Sequence, residues 1–265
     1  MIEIIWSKSS LQTYNQCPQR FYFEYIAKRP EEQTFDAMER GTIFHSMIEG
    51  FYNKIDVEQL KMLPLEEETI RLYFRSLIEY VYDEETHLLY DNFTIIEAAR
   101  WVKCVKTKGD TAINYFKPVL QEKEIVNEKN DTRGKVDWVF LSFDDEYVIG
   151  EIKTGKPYEI SEIRKELCFL TLLIKGTGVL PKDPKYIFCY YPKVQEVLFE
   201  QPKQQSMNAL YRMYAKAVQG LKDKDFHKNI GTLCNYCPYA LQCLGEERVA
   251  FESFSQMEIE EQVQV

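Results

Sequence analysis

Three consecutive segments rich in β-forming residues lie between residues 119 and 152, and they constrain the fold more than any other feature of the chain. Turn-like stretches, NEKND and DD, separate them, and two further strands flank Pro192. The five predicted strands span residues 119–126, 133–143, 147–152, 186–191 and 194–199. Helical patterns at 161–174 and 203–221 follow the third and fifth strands. This order predicts an α/β fold in which helices flank a mixed sheet.

The chain before the first strand carries helical patterns. Ser9 can cap a first helix, a second at 41–55 places Phe44 and Ile48 near one face, and a third at 94–116 ends before Pro118. No internal repeat or Gly/Ser-rich linker interrupts the chain, so we expect one integrated unit. Its predicted parts are a helical region at 1–117, a core at 118–229, a cysteine-rich segment at 230–245 and an acidic tail at 246–265.

The net charge of -9 argues at first against a nucleic-acid partner, because neutralisation of phosphates normally supplies much of the affinity for DNA. The charge is unevenly distributed, however. Residues 246–265 hold six Glu and one Arg, whereas residues 201–229 hold six Lys or Arg and two Asp. A local basic groove is therefore compatible with the sequence, although scattered charges most often form a solvated surface.

The hydropathy of the chain predicts a soluble protein. No stretch approaches the roughly 18 uninterrupted apolar residues that cross a bilayer, and the start, MIEIIWSKSS, lacks the pattern of a signal peptide. We therefore expect a cytoplasmic protein without a membrane partner. In that reducing compartment the seven cysteines are not expected to form disulfides, and Cys104, Cys168 and Cys189 sit singly among apolar neighbours that predict core positions.

Acidic residues and a lysine occupy two neighbouring predicted strands. Asp137 lies on one strand, and Glu151 and Lys153 lie two apart on the next, so the last two project to the same side. If the strands form a hairpin, Asp137 comes beside Glu151, and two adjacent carboxylates repel unless a cation neutralises them. Mg²⁺ or Mn²⁺ bound there can activate a water at a phosphate, with Lys153 stabilising the developing charge. The alternative is a salt bridge between Glu151 and Lys153 without function.

Four of the cysteines form a second candidate site. Three occur in a C-x2-C-x5-C run at Cys234, Cys237 and Cys243, and Cys17 is the distant fourth. Four thiolates suit either structural zinc or an iron-sulfur cluster, and the spacing by itself favours zinc slightly.

These motifs together resemble the RecB-type nucleases of the PD-(D/E)XK superfamily. The G-x-D and E-x-K pair at Asp137 and Glu151–Lys153 matches the active-site signature of that superfamily. The stretch from Ser9 to Phe21 matches the family pattern S-x-L-x-x-Y-x-x-C-P-x-x-F, and Gly41 with His45 matches G-x-x-x-H. The resemblance covers about residues 7–245 and implies a restriction-endonuclease-like sheet.

The resemblance also implies roles for residues outside the strand motifs. It places His45 and the backbone carbonyl of Ile152 among the metal ligands, together with Asp137 and Glu151. Glu124 matches a further acidic position near the site. The order of one cysteine before the core and three after it matches the iron-sulfur branch, found in helicase-nucleases and in CRISPR adaptation. It therefore implies a [4Fe-4S] cluster that links the two ends of the chain.

One motif of the resembling family is missing. The helix after the E-x-K strand usually carries Q-x-x-x-Y, and the corresponding stretch here begins at Glu166 and ends at Leu170. That motif positions nucleic acid or the catalytic lysine, so its loss bears on rate, polarity or substrate. Arg164 and Lys165 are candidate substitutes as phosphate contacts.

These observations lead to two functional hypotheses. The first is a DNA exonuclease acting on single-stranded ends in repair, recombination or replication, with endonuclease activity left open. The sequence has no G-x-x-x-x-G-K-[ST] motif, so we expect a separate helicase or recombination partner to unwind DNA, in a bacterial or phage-infected cell. The second is a non-catalytic iron-sulfur DNA-binding or adaptor subunit of a recombination or CRISPR-type complex. The acidic charge and the missing Q-x-x-x-Y favour this alternative, and the D, E-x-K and His set opposes it.

Overall fold

The computed structural model describes residues 4–31, 36–78, 83–155 and 160–245, and the predicted acidic tail at 246–265 lies outside them. Two compact units are present among these residues. Residues 9–31 and 213–245 belong to the smaller unit, and Ile4–Lys8 with Asp36–Arg212 belongs to the larger.

Most helices before the sheet are short. Their bounds are α1 Lys8–Gln16, α2 Pro18–Phe21, α3 Asp36–Glu49, α4 Phe51–Lys54, α5 Val57–Met62, α6 Glu67–Ser76, α7 Glu84–Lys108 and α8 Ala112–Phe116. A π-helical turn at Tyr22–Ile26 follows α2, and a 3₁₀ turn at Gly109–Thr111 lies between α7 and α8. Because α1 begins at Lys8, Ser9 lies inside its first turn and not at the predicted cap position.

The longest of these helices, α7, has clear signals at both ends. The Asp83 carboxylate accepts a hydrogen bond of 2.6 Å from the backbone N–H of Thr86, which satisfies a free donor of the first turn. Gly109 ends the helix with a φ of 54°, a conformation that a side chain disfavours. The single helix predicted at 94–116 is therefore wrong in its bounds, because its first part continues α7 and its last part is the separate α8.

Within the described residues, five strands form one mixed sheet in the order β1-β2-β3-β4-β5. Their bounds are β1 Leu120–Asn127, β2 Thr132–Leu141, β3 Tyr147–Ile152, β4 Tyr186–Tyr191 and β5 Glu196–Glu200. The first three strands are antiparallel neighbours, β3 and β4 are parallel, and β4 and β5 are antiparallel. Helix α9, Ile160–Ile174, makes the crossover between β3 and β4, and α10, Gln204–Lys222, and α11, Ala240–Leu244, follow. The predicted mixed sheet flanked by helices is confirmed.

Aromatic side chains dominate the core of the larger unit. Phe93 of α7 stacks on Trp138 of β2, and Tyr52 of α4 packs edge-on against the same indole. Each of these side chains is at most 2% exposed, and full burial of a side chain of this size contributes about 2 to 3 kcal/mol. The helical layer is thereby held against the strands that carry the candidate site.

Gly150 of β3 allows an unusually close approach between two strands. It pairs with Phe188 of β4, and a Cβ atom at position 150 would lie 1.6 Å from the Phe188 ring. The ring therefore rests directly on the backbone of β3, one residue before Glu151. Only glycine is compatible with this packing.

The smaller unit is held together by contacts around Tyr14. Its hydroxyl donates a hydrogen bond of 2.9 Å to the backbone carbonyl of Asp225, and its ring packs edge-on against Phe21. A Cβ atom at Gly220 of α10 would lie 1.7 Å from that hydroxyl, so glycine is required there too. Asn15 adds a hydrogen bond of 3.2 Å to the carbonyl of Met213. Segments far apart in sequence are thus joined in one unit.

Candidate active site

Three acidic residues lie side by side on three neighbouring strands, and we call them the acid row: Glu122, Asp137 and Glu151. Gln121 and Lys123 pair with Trp138 and Val136, so Glu122 is opposite Asp137. Trp138 pairs with Gly150, and the next step of this register places Asp137 opposite Glu151. Like charges directly opposite one another destabilise a sheet. The acid row is therefore unfavourable unless cations neutralise it.

Glu122, and not the predicted Glu124, is the acidic residue that β1 brings to this site. Glu124 pairs with Lys135 and is exposed, so the register removes it from the acid row. Glu122 has a φ of 49°, in the left-handed region that disfavours residues with a Cβ atom. Such strain persists where the surrounding structure imposes it, commonly at functional sites.

His45 of α3 completes a group of metal-binding character. One ligand atom each from His45, Glu122 and Asp137 lie within 4.8 Å of one another. The backbone of Ile152 hydrogen-bonds to both the His45 imidazole and the Asp137 carboxylate. Burial lowers the pKa of His45 in spite of Glu122 and Glu151, which raise it, so the imidazole is neutral at neutral pH. A neutral imidazole is the form that binds metal ions.

Asp137 provides a test of whether a divalent cation fits here. Burial, and then the charges of Glu151 and Glu122, raise its pKa to about 7. Its Oδ2 atom lies 3.9 Å from Nδ1 of His45, and among the described residues this buried oxygen has no hydrogen-bond partner. A buried carboxylate oxygen without a donor is costly, and a hard cation satisfies it. The two carboxylates and the imidazole therefore fit a divalent cation.

Glu151 also belongs to a second arrangement, a closed set of four charged side chains that we call the charge ring: Lys8, Glu151, Lys153 and Glu166. Oε1 of Glu151 lies 2.5 Å from Nζ of Lys8 and 2.7 Å from Nζ of Lys153. Oε2 of Glu166 lies 2.9 Å from Nζ of Lys153 and 3.6 Å from Nζ of Lys8. Each carboxylate thus contacts both ammonium groups.

The charge ring fixes the protonation states of the predicted catalytic pair. Burial raises the pKa of Glu151, but Lys8 and Lys153 outweigh that effect and hold it at about 2. Burial disfavours charge on Lys153, and Glu151 with Glu166 outweighs this and raises its pKa. At neutral pH the site therefore contains a charged Glu151 and a charged Lys153. A protonated lysine next to a cation site can donate hydrogen bonds to a phosphate but cannot act as a base.

The predicted phosphate contacts on α9 point to other partners. Lys165 forms an ion pair with Glu162, one helical turn earlier, and Arg164 forms a bidentate pair with Glu200 of β5. Neither side chain contributes to the charge ring. The residue of α9 that reaches the site is Glu166, whose side chain is nearly buried.

The comparison of the sequence with protein families agrees with this geometry. Residues 5–244 match the family described as the PD-(D/E)XK nuclease superfamily, which is nearly the whole chain.

The chain belongs to the PD-(D/E)XK nuclease superfamily.

Similarity to individual curated proteins is more limited for this superfamily member. It is 30% identical over 79 residues to one of the subunits of the ATP-dependent helicase/deoxyribonuclease of Clostridium perfringens, in two strains. The match covers 29% of this chain but only 7% of that relative.

No helix among the described residues is long and apolar enough to cross a membrane.

The second site of this PD-(D/E)XK protein lies in the smaller unit. One cavity, the cysteine cavity, is lined by four thiols together with the basic side chains of Arg20 and Lys228. These four residues are Cys17, Cys234, Cys237 and Cys243, which are free and partly buried. Burial raises the pKa of Cys243, and the neighbouring cysteines raise it further. Within the described part of the chain, no three of these Sγ atoms lie within 4.8 Å of one another.

The sequence analysis did not predict three residues of the site in the larger unit: Glu122, Lys8 and Glu166. Glu122 and Glu124 lie two apart on the same strand and face the same side, so only the register distinguishes them. Lys8 meets Glu151 across 143 residues of chain, which no local pattern reveals. Glu166 was noticed only as a departure from a motif, although a charged residue on an otherwise apolar helical face is itself a signal.

Proposed function

We propose that this protein hydrolyses DNA phosphodiester bonds with Asp137, Glu151 and Lys153, and with Mg²⁺ or Mn²⁺ held by the acid row, His45 and the carbonyl of Ile152. The observation that carries this proposal is the buried oxygen of Asp137. It faces His45, and Asp137 has one acidic residue in register on each neighbouring strand. Lysines pair with Glu122 and Glu151, whereas this Asp137 oxygen has no partner among the described residues, which favours a cation there.

The chain's own residues have complementary tasks. When bound, the cation supplies Lewis-acid stabilisation of the phosphate and a more acidic water. Lys153 presents a permanent positive charge beside it, since Glu151 and Glu166 keep the ammonium protonated. This charge stabilises negative charge that develops on the phosphate oxygens. His45 and Asp137 anchor the site through their hydrogen bonds to the Ile152 backbone.

For the substrate, we infer single-stranded DNA ends. The acid row is largely enclosed, because the side chains of Asp137 and Glu151 are 19% and 7% exposed. A single strand can extend one phosphate into such a site more easily than a duplex can. The basic stretch at 201–229 supports contact with the backbone.

Incubation of the purified protein with labelled DNA and Mn²⁺ tests this proposal. We expect degradation of linear single strands, and no degradation when Asp137→Asn replaces the wild type. Labels at the 5′ or 3′ end give the polarity, and cleavage of circular single strands would assign endonuclease activity instead. Activity of Asp137→Asn equal to that of the wild type would refute the site.

A non-catalytic DNA-binding subunit is the second candidate. It is favoured by the two lysines that hold Oε1 of Glu151, because an oxygen engaged in this way is less available to a cation. A protein that binds labelled DNA tightly but cleaves neither linear nor circular substrates with Mg²⁺ or Mn²⁺ would support this role.

We further propose that the cysteine cavity holds a [4Fe-4S] cluster with a structural role. Four free thiols line this one cavity, and Cys17 comes from a segment far in sequence from the other three. Four thiolates are the ligand set that a [4Fe-4S] cluster needs, and the family resemblance favours iron-sulfur over zinc. Protein prepared without oxygen should contain iron and acid-labile sulfide and should be brown. A colourless protein that contains zinc would refute the cluster.

The relatives' name combines a helicase with a deoxyribonuclease, and we propose that this chain also acts beside a helicase. The expected result is that a helicase with ATP converts blunt duplex DNA into a substrate. Equal degradation of duplex DNA with and without the helicase would contradict the proposal that this chain acts beside one.

A further inference from the structure

The charge ring is unusual for the amount of charge that it gathers around one catalytic lysine. Its two carboxylates have side chains only 7% and 10% exposed, and its two ammonium groups come from the first turn of α1 and the end of β3. Burying one charge without a partner costs several kcal/mol. The two carboxylates are therefore stable here because the partly exposed ammonium groups of Lys8 and Lys153 balance their charge.

The contacts show which charges balance which. Lys153 has two acidic partners, Glu151 on its own strand and Glu166 on α9, at 2.7 and 2.9 Å. Glu151 and Lys153 alone would already form a neutral pair. Glu166 therefore adds one negative charge to an enclosed site, and Lys8 is the group that offsets it.

We propose that Lys8 and Glu166 are a compensating pair of positioning residues, in which Glu166 fixes the Lys153 ammonium beside Glu151 and Lys8 balances the charge that Glu166 adds. The part of this inference that concerns catalysis rests on the proposed nuclease function. The part that concerns charge does not, because it can be measured without DNA.

Outside the neutral ring, Lys135 pairs with Glu122, and the charge of Asp137 remains at the metal-binding group. Removal of Lys8 makes the ring negative, while removal of the charge of Glu166 makes it positive. A nearby cation responds to these two changes in opposite directions. A purely structural salt bridge predicts no such opposition, since either change would only loosen the site.

The first measurement is Mn²⁺ affinity of the metal-free protein by calorimetry. Lys8→Met, which keeps the apolar stem, should bind Mn²⁺ about tenfold more tightly, and Glu166→Gln about tenfold more weakly. The double variant Lys8→Met/Glu166→Gln should return to the wild-type affinity.

The second measurement is the thermal midpoint of the same metal-free proteins. Each single variant leaves the charge ring with one unbalanced charge and should melt at a lower temperature, whereas the double variant should recover most of the loss. In DNA cleavage, Glu166→Gln should lower kcat more than it raises KM, because Lys153 loses its position and not its charge.

Two control variants distinguish an effect of charge from an effect on folding. Lys8→Arg retains the charge and should keep the wild-type Mn²⁺ affinity. Lys165→Met removes a lysine of α9 that pairs outside the ring, and it should change neither measurement.

Two results would overturn the pairing: a change of Mn²⁺ affinity in the same direction for both single variants, or a double variant less stable than either. If the wild type cleaves no DNA but the opposite shifts are observed, the pairing stands and the nuclease proposal fails. If the wild type cleaves DNA but the shifts are absent, the nuclease proposal stands and the pairing fails.

Discussion

The acid row and the cysteine cavity are built from different local structure. The acid row sits on three hydrogen-bonded strands, and the register fixes which side chains are neighbours. The cysteine cavity has its thiols before α2, in the 3₁₀ turn Thr232–Tyr236, directly after that turn and in the short helix α11.

This difference bears on what each site needs from its metal. The strand backbone supports the oxygen ligands whether or not a cation is bound. Short turns have few backbone hydrogen bonds of their own, so under our proposal the four thiols depend on the cluster for their arrangement. We therefore expect loss of the divalent cation to abolish DNA cleavage at the acid row. Loss of the cluster should instead destabilise the unit that holds the cysteine cavity.

The largest expected effect concerns the chemistry of the acid row. Lys153→Met should reduce DNA cleavage by about a thousandfold, since a preorganised charge at the phosphate is lost. The proposed cluster in the other unit should remain, as iron content will show. Lys165→Met is the matched control and should cleave normally. Normal cleavage by Lys153→Met would remove this lysine from the mechanism.

The next effect tests the cysteine cavity. Cys234→Ser should lower the free energy of unfolding by about 3 kcal/mol, as loss of a cross-link between distant segments does. Denaturant unfolding gives this value, and calorimetry should show unchanged Mn²⁺ binding. Cys237→Ser should behave alike, whereas Cys189→Ala in β4 should keep the full iron content. Full stability of Cys234→Ser would contradict a structural cluster.

A smaller effect distinguishes two neighbouring acidic residues. Glu122→Gln should weaken Mn²⁺ binding about tenfold, because one carboxylate of the metal-binding group is lost. Glu124→Gln, two residues along the same strand, should bind normally. The reverse order of the two affinities would show that the register at the site differs from the one described.

The smallest effect is the pH dependence of Mn²⁺ binding. A proton competes with the cation for Asp137, whose pKa is raised to about 7. Affinity should therefore increase about threefold from pH 6.5 to 7.5 and level off at higher pH. Glu122→Gln removes one of the charges that raise this pKa, so the increase should move to lower pH. A flat profile in the wild type would show that Asp137 does not bind the cation.

Much of the fold followed from local patterns. The strand predicted at 147–152 and the strand predicted at 186–191 are confirmed with the same bounds. Continuous apolar and aromatic runs between turns leave few alternatives there. The helix at 94–116 was wrong because the pattern did not weigh Asp83 as a cap or Gly109 as a break.

Only some residues of the candidate site could be predicted from the sequence. Motif spacing selected Asp137, Glu151 and Lys153, the family resemblance added His45, and the structure places these residues close together. It could not choose between Glu122 and Glu124, because a strand alternates and both face the same side. Lys8 and Glu166 depend on how distant segments meet, which the order of residues does not encode locally.

The contact between Gly150 and Phe188 makes β3, the strand that carries Glu151, sensitive to substitution at a position outside the proposed chemistry. Any side chain at 150 must displace the Phe188 ring or the strand, and a movement of the strand shifts the adjacent Glu151 relative to Asp137. A displacement of about 1 Å is enough to cost a hundredfold in rate. An inherited change at this glycine would therefore mimic the loss of an active-site residue while every reacting group is still present.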